Sequence, residues 1–169
     1  DNPSPFLRCE GLRLRRLCRD DGPVVPVDYL ISSGCLISLA ALSQIGEMRD
    51  DLFIDYIDIE WGLRAKAKGF LSYGVFAARM EHALGEDPIR LFGRSISLHS
   101  PLRNYYLVRN AVLLYREKWI PLNWKLIDGW RLTRRFIFYL VFGGEFFQRL
   151  RMMLLGLAHA LSGRAGSIR

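Results

Sequence analysis

SGCLISLAALSQIGEMRDDLFIDYIDIEWGLRAKAKGF, residues 33–70, joins a glycine-broken apolar run, two short helical patterns and a crowd of carboxylates. The run VVPVDYLISSGCLIS (24–38) is rich in β-branched residues and bounded by Pro and Gly, which predicts a strand. Gly34 interrupts it, the mark of a bulge or of a backbone that lies close to a ligand. LAALSQIG predicts a short helix ending at Gly46. After the acidic loop EMRDDLFID, a helix is expected from Ile57 to Lys68, closed by Gly69. Ile59, Leu63 and Ala67 recur there at helical spacing. Glu60 and Arg64 stand four apart in the favourable order for an ion pair.

Working outward, FLSYGVFAARMEH (70–82) predicts a second strand ending at His82. ALGEDPIRLFGRSISLHS (83–100) reads as a long polar loop broken by Gly85, Pro88 and Gly93, of the kind that serves as a lid or binding loop. Ser100-Pro101 supplies an N-cap and a first-turn proline for a helix that stops before Pro121. Two further helices are expected over about 123–142 and 145–162, separated by Gly143-Gly144. In the last one Phe146, Leu150, Met153, Leu154, Leu157 and Leu161 share a face, with Gln148, Arg149, Arg151 and His159 elsewhere, an amphipathic pattern. Residues 1–23 hold a basic cluster around Arg13–Arg19 and a turn at 20–23. The expected division is 1–100, mixed α/β, and 101–169, a basic helical tail.

The chain has 169 residues, 50% of them hydrophobic, enough for one globular domain. The net charge of +7 is unevenly placed: residues 1–102 carry 12 Lys/Arg against 14 Asp/Glu, and residues 103–169 carry 12 against 3. Such a tail points to a polyanionic partner, a membrane surface or nucleic acid. No helix-turn-helix, zinc or RNP-type signature accompanies the charge, so nucleic acid is not expected. Trp119, Trp124 and Trp130 with Arg131, Arg134 and Arg135 fit an interfacial membrane anchor or a packing surface for other protein. The longest apolar run, Phe136–Phe142, is far short of the roughly 20 residues a spanning helix needs. Cys9, Cys18 and Cys35 are odd in number and lack metal-ligand spacing, as expected of free thiols in a reducing compartment.

Asp55, Asp58 and Glu60 place three carboxylates within six positions at a helix entrance. Negative charge there offsets the helix dipole, which alone accounts for them. A positioned carboxylate is also what general-base chemistry needs. Trp61, next to them, suits either the core or stacking on a sugar ring. Arg103, Tyr105, Tyr106, Arg109 and Asn110 form a polar-aromatic face on the first tail helix, suited to phosphate contacts or to an ordinary surface. His99 and His159 read as structural.

The order of a small-residue strand, a helix ending in Gly, an acid, Leu63-Arg64 and a Gly-aromatic close resembles the acceptor half of family 2 inverting glycosyltransferases. Asp-Ile-Glu-Trp, His-x-Leu-Gly-Glu after the strand and SPLRNYYLVRN resemble the rhamnosyltransferase-like branch. The resemblance covers about residues 24–160. It implies a GT-A, Rossmann-like fold, with Asp58 as catalytic base and Glu60 as the second acid of the motif; Ile57 stands where many members have a first acid. It implies His82 as a ligand of a divalent metal, Mg or Mn. Gly34, Asp55, Glu60, Trp61, Arg103 and Arg109 are then candidates for substrate binding. The implied donor is a nucleotide sugar, dTDP-rhamnose, and the acceptor a cell-surface polysaccharide or lipid-linked glycan at the cytoplasmic face of the membrane. Gln-x-x-Arg-Trp, the processive-synthase motif, is missing, which favours transfer of a single sugar. No initiator Met, signal peptide or nucleotide-binding half with Asp-x-Asp precedes residue 24, so the expectation is a C-terminal portion, inactive alone. The rival expectation is a non-catalytic, basic membrane-binding or interaction module.

Overall fold

The computed structural model describes residues 6–80, 89–91, 94–96 and 99–168, with backbone alone for 89–91 and 94–96. The chain opens with an antiparallel hairpin, β1 (Leu7–Glu10) and β2 (Arg13–Arg16), pairing Leu7 with Arg16. Its arginines point outward, which hid the strand pattern inside what reads as a basic cluster. β3 (Val24–Val27) pairs antiparallel with β4 (Ser72–Val75), Val27 opposite Ser72. Val25 and Val27 point inward and form a small apolar cluster with Leu17.

Both long strands expected from the sequence are cut to four residues. After Val27 the Asp28 carboxylate accepts from the Cys9 amide at 2.6 Å and from the Lys66 ammonium. A turn follows in which the Cys35 amide bonds the Ser32 carbonyl at 3.1 Å and Gly34 takes φ +74°. Beyond β4, a turn bonds the Ala78 amide to the Val75 carbonyl at 3.2 Å. Inside the stretch expected as loop, β5 (Ile89–Leu91) and β6 (Arg94–Ile96) form a third antiparallel pair.

The helices follow their sequence signals closely: α1 (Leu39–Ile45), α2 (Ile57–Ala67), α3 (Pro101–Arg116), α4 (Leu122–Phe142) and α5 (Phe146–Leu161). Ser38 caps α1, its hydroxyl accepting from the Ala41 amide at 3.1 Å, and Ser100 caps α3 through the Arg103 amide at 3.3 Å. α3 is the centre of the molecule. Its Leu107, Val108, Ala111 and Leu114 share one core with Leu52, Tyr56 and Leu63 before and within α2, Trp124 and Tyr139 of α4, and Met153 and Ala160 of α5. The chain is therefore mixed α/β. Every strand pair among the described residues is antiparallel and two-stranded, so the parallel sheet of a Rossmann-like half is not formed there.

α5 does not turn the whole of its leucine-rich face inward. Arg149, Met153, Gly156 and Ala160 face inward, while Phe146, Leu154, Leu157 and Leu161 stay exposed beside them. Close approach chooses this face: a Cβ on Gly156 would lie 2.5 Å from the Tyr105 carbonyl oxygen. Arg149 is tolerated inside because it donates to the carbonyls of Gly143, Gly144 and His99 and to Asn104 Oδ1, the condition for burying a charged group. Of the three tryptophans expected at a membrane surface, Trp130 alone is exposed. Trp124 is buried against Tyr115, and the Trp119 indole donates to Glu117.

Candidate active site

The segment leading into α2 has an unusual backbone. A single 3-10 turn, Asp50–Leu52, is followed by three non-glycine residues at positive φ: Phe53 (65°), Asp55 (61°) and Tyr56 (64°). Such conformations cost on the order of 1–3 kcal/mol each and persist only where surroundings enforce them. Here α3 does so. The buried Asn110 amide donates to the carbonyls of Leu52 (2.9 Å), Ile54 (2.7 Å) and Asp55 (3.1 Å). Arg109, fully buried, donates to the Leu52 carbonyl at 2.9 Å and lies over the Tyr106 ring at 4.9 Å. Arg103 grips Asp55 with two parallel bonds of 3.0 Å. Underneath, the Tyr56 and Tyr115 hydroxyls both donate to the buried Asp128 carboxylate, at 2.8 and 2.7 Å. Burial, and next the Asp128 charge, pushes both phenols well above their ordinary range.

The acids around α2 then divide by role. Asp51 pairs with Arg49, whose hydrogen bonds hold its carboxyl below the usual range. Asp55 pairs with Arg103. Glu60 is buried in a two-point bond with Arg64 (2.9 and 3.0 Å). Arg64 also donates to the carbonyls of Ile45 and Glu47, and Trp61 donates its indole N–H to Gly46 at 2.8 Å, so this face of α2 closes the end of α1. Asp58 is different. It is half-buried in the first turn of α2, and among the described residues its carboxylate accepts no hydrogen bond and meets no cation. Cys35, one residue after Gly34, lies within reach of its charge: burial first, and Asp58 second, push that thiol up.

The structure thus sets Cys35 within electrostatic range of Asp58, and it turns several other candidates inward. The polar-aromatic face of α3 expected to meet a ligand is closed: Tyr105, Tyr106, Arg109 and Asn110 are buried. Glu60 and Trp61 are likewise buried, and their polar groups are engaged within the chain. Arg103 and Asp55 remain partly exposed but grip each other. His82 lies outside the described residues, and among the described residues no three His, Cys, Asp or Glu side chains gather as a metal site would require. His159 bonds the Tyr105 hydroxyl at 2.8 Å and His99 stacks edge-on to Tyr139, both structural roles. Two participants were missed by sequence reasoning, Asp128 and the clamp made by Asn110. The sign for Asp128 was its isolation, one acid within a basic and apolar helix.

A carboxylate with free lone pairs, held at a helix entrance beside a bent backbone, can take a proton from a hydroxyl. That is the chemistry of a general-base site on a mixed α/β frame. Over 92 residues the chain is 44% identical to dTDP-rhamnosyl transferase RfbF of Shigella flexneri, a match covering 54% of this chain and 31% of that protein. The matched segment thus spans about a third of the relative's length. No family model and no solved structure matches the chain.

Proposed function

We propose that the complete protein is an inverting glycosyltransferase of family 2, rhamnosyltransferase-like, with this chain supplying the acceptor side of a GT-A domain. It would carry rhamnose from dTDP-rhamnose to a hydroxyl of a cell-surface polysaccharide or lipid-linked acceptor. The observation that carries the reading is the division among the acids: Asp51, Asp55 and Glu60 are each tied to an arginine, and among the described residues Asp58 has no such partner. The similarity to a dTDP-rhamnosyl transferase supports the substrate class. In the reaction, an Asp58 oxygen takes the acceptor proton as the acceptor oxygen bonds to the anomeric carbon. The bond from that carbon to the diphosphate oxygen breaks on the opposite side, and its electron pair leaves with the nucleotide. A divalent ion, with His82 as one ligand, belongs to the same proposal as the charge that would steady the departing diphosphate. The described residues do not themselves make up a ligand set.

The test is Asp58→Asn in the complete protein. Transfer should fall by about 10²- to 10⁴-fold, the worth of a positioned base, with donor affinity little changed. Transfer that survives overturns the base. In the same assay, activity that persists through chelation of divalent ions removes the metal from the proposal.

A separate observation favours peripheral contact with an anionic membrane, at the cytoplasmic face. On α4, Leu122, Leu126, Trp130, Ile137 and Val141 fall on one exposed stripe, and α5 adds the outward Phe147 and Leu154. Arg134 and Arg151 are exposed beside these stripes, Arg131 and Arg135 are exposed on the side of α4 toward Tyr29 and Tyr56, and Glu145 is the exposed acid on the same two helices and their link. Apolar and aromatic side chains with arginines beside them suit the headgroup region of anionic lipid. Among the described residues no helix is long and apolar enough to cross a membrane.

A further inference from the structure

We infer that Asn110 and the Tyr56–Asp128 bond together position Asp58, acting through the backbone of residues 52–56; this rests on the assignment of Asp58 as the base. The first turn of α2 starts directly from Tyr56, itself at positive φ, so the direction of that turn and of Asp58 is set by the loop before it. A loop with Phe53, Asp55 and Tyr56 all left-handed does not hold its shape alone. The Asn110 amide binds three of its carbonyls within four residues, and its own Oδ1 is held by Arg109 Nε at 2.9 Å, which fixes the amide's orientation. The Asp128–Tyr56 bond anchors the last residue of the loop to α4 at 2.8 Å. α3 and α4 therefore hold the loop from two sides, and Asp58 is carried on what they hold.

These groups lie out of reach of a substrate. Asn110 is fully buried and Asp128 nearly so, so neither binds a sugar or phosphate; their effect on transfer is through geometry. Misplacing a reacting group by about 1 Å costs on the order of 10²-fold in rate.

The experiment is a cycle in the complete protein with Asn110→Ala, Asp58→Asn and the double variant. Asn110→Ala should lower kcat by about 10- to 100-fold with the donor KM within about threefold of the parent. In the Asp58→Asn background it should cost nothing further, because a residue that acts through the base has no effect once the base is gone. Losses that multiply in the double variant, or a change confined to KM, overturn the inference. Transfer that survives Asp58→Asn overturns the base reading instead, so the two failures are distinct. Circular dichroism checks that Asn110→Ala folds. If it does not, Tyr56→Phe, which removes only the bond to Asp128, is put through the same cycle. It should lower kcat several-fold without multiplying the loss from Asp58→Asn, and a full-rate Tyr56→Phe enzyme overturns the inference.

Discussion

At the scale of the residue, the contrast is between Asp55 and Glu60, which arginines neutralise, and Asp58, which among the described residues no cation meets. Glu60 and Asp55 each accept two bonds from an arginine fork, the strongest pairing a carboxylate finds in a protein. The Cys35 thiol offers a way to observe Asp58 without substrate. Its pKa is raised by burial and then by the Asp58 charge, so at a given pH less of it is thiolate than in an exposed cysteine. Removing the charge moves the pKa down toward the ordinary value and increases the thiolate. In a Cys9→Ser, Cys18→Ser background, Asp58→Asn should therefore speed alkylation of Cys35 several-fold at pH 8. An unchanged rate would show that the two groups do not sense each other. The candidacy of Asp58 came from the family resemblance anchored on Glu60, Leu63 and Arg64. The employment of Asn110 was not legible, since its partners are carbonyls 55 to 58 positions earlier, and backbone carbonyls carry no side-chain signature.

At the scale of the element, caps and glycines set the helix ends, while close backbone approach sets which faces meet. α2 lies so near the chain at Asp28–Tyr29 that a Cβ on Gly62 would sit 2.5 Å from Tyr29 Cβ. α5 meets α3 in the same way at Gly156, where the obstacle is a backbone oxygen that cannot swing aside. Gly156→Ala should cost about 1–3 kcal/mol through overpacking, despite alanine's better helix propensity. Gly129→Ala in α4 is the control: its nearest neighbour, the Tyr115 hydroxyl, is 3.9 Å from the added carbon, so the propensity gain of up to about 1 kcal/mol prevails. Thermal unfolding of the two variants should shift in opposite directions. Equal shifts would mean that the α3–α5 contact is looser than described. Hydrophobic periodicity located α5 but does not give its inward face, because it weighs leucine above glycine and gives no credit to a buried arginine with four acceptors.

At the scale of the whole molecule, α3 holds together parts that the sequence divides near residue 100. The core runs from Leu52 to Ala160 through it, and the C-terminal segment returns to it, with the Ile168 amide donating to the Tyr106 hydroxyl at 2.9 Å. What the core leaves outside is the apolar and arginine-lined surface of α4 and α5. The complete protein should float with vesicles containing about a third anionic lipid and not with neutral ones, and charge reversal at Arg134 and Arg151 should abolish it. The salt dependence should be marked, since the Debye length is about 8 Å at physiological ionic strength. Failure to float with either vesicle would remove the membrane reading and leave the stripes as a surface for other protein.

The sequence by itself determined the helices, their caps and the basic bias of the tail. These are local matters: hydrogen bonds within four residues, side-chain spacing and net charge. Strand length, the inward face of α5 and the fate of Arg109, Glu60 and Trp61 were decided only by tertiary structure. For those the deciding quantity is whether a polar group finds its partner far along the chain, as Arg109 does at Leu52 and Trp61 at Gly46. Burial without such a partner costs about 1–3 kcal/mol and is confined here to the Asn104 amide nitrogen among the described side chains, and burial with one cannot be read from neighbours in sequence.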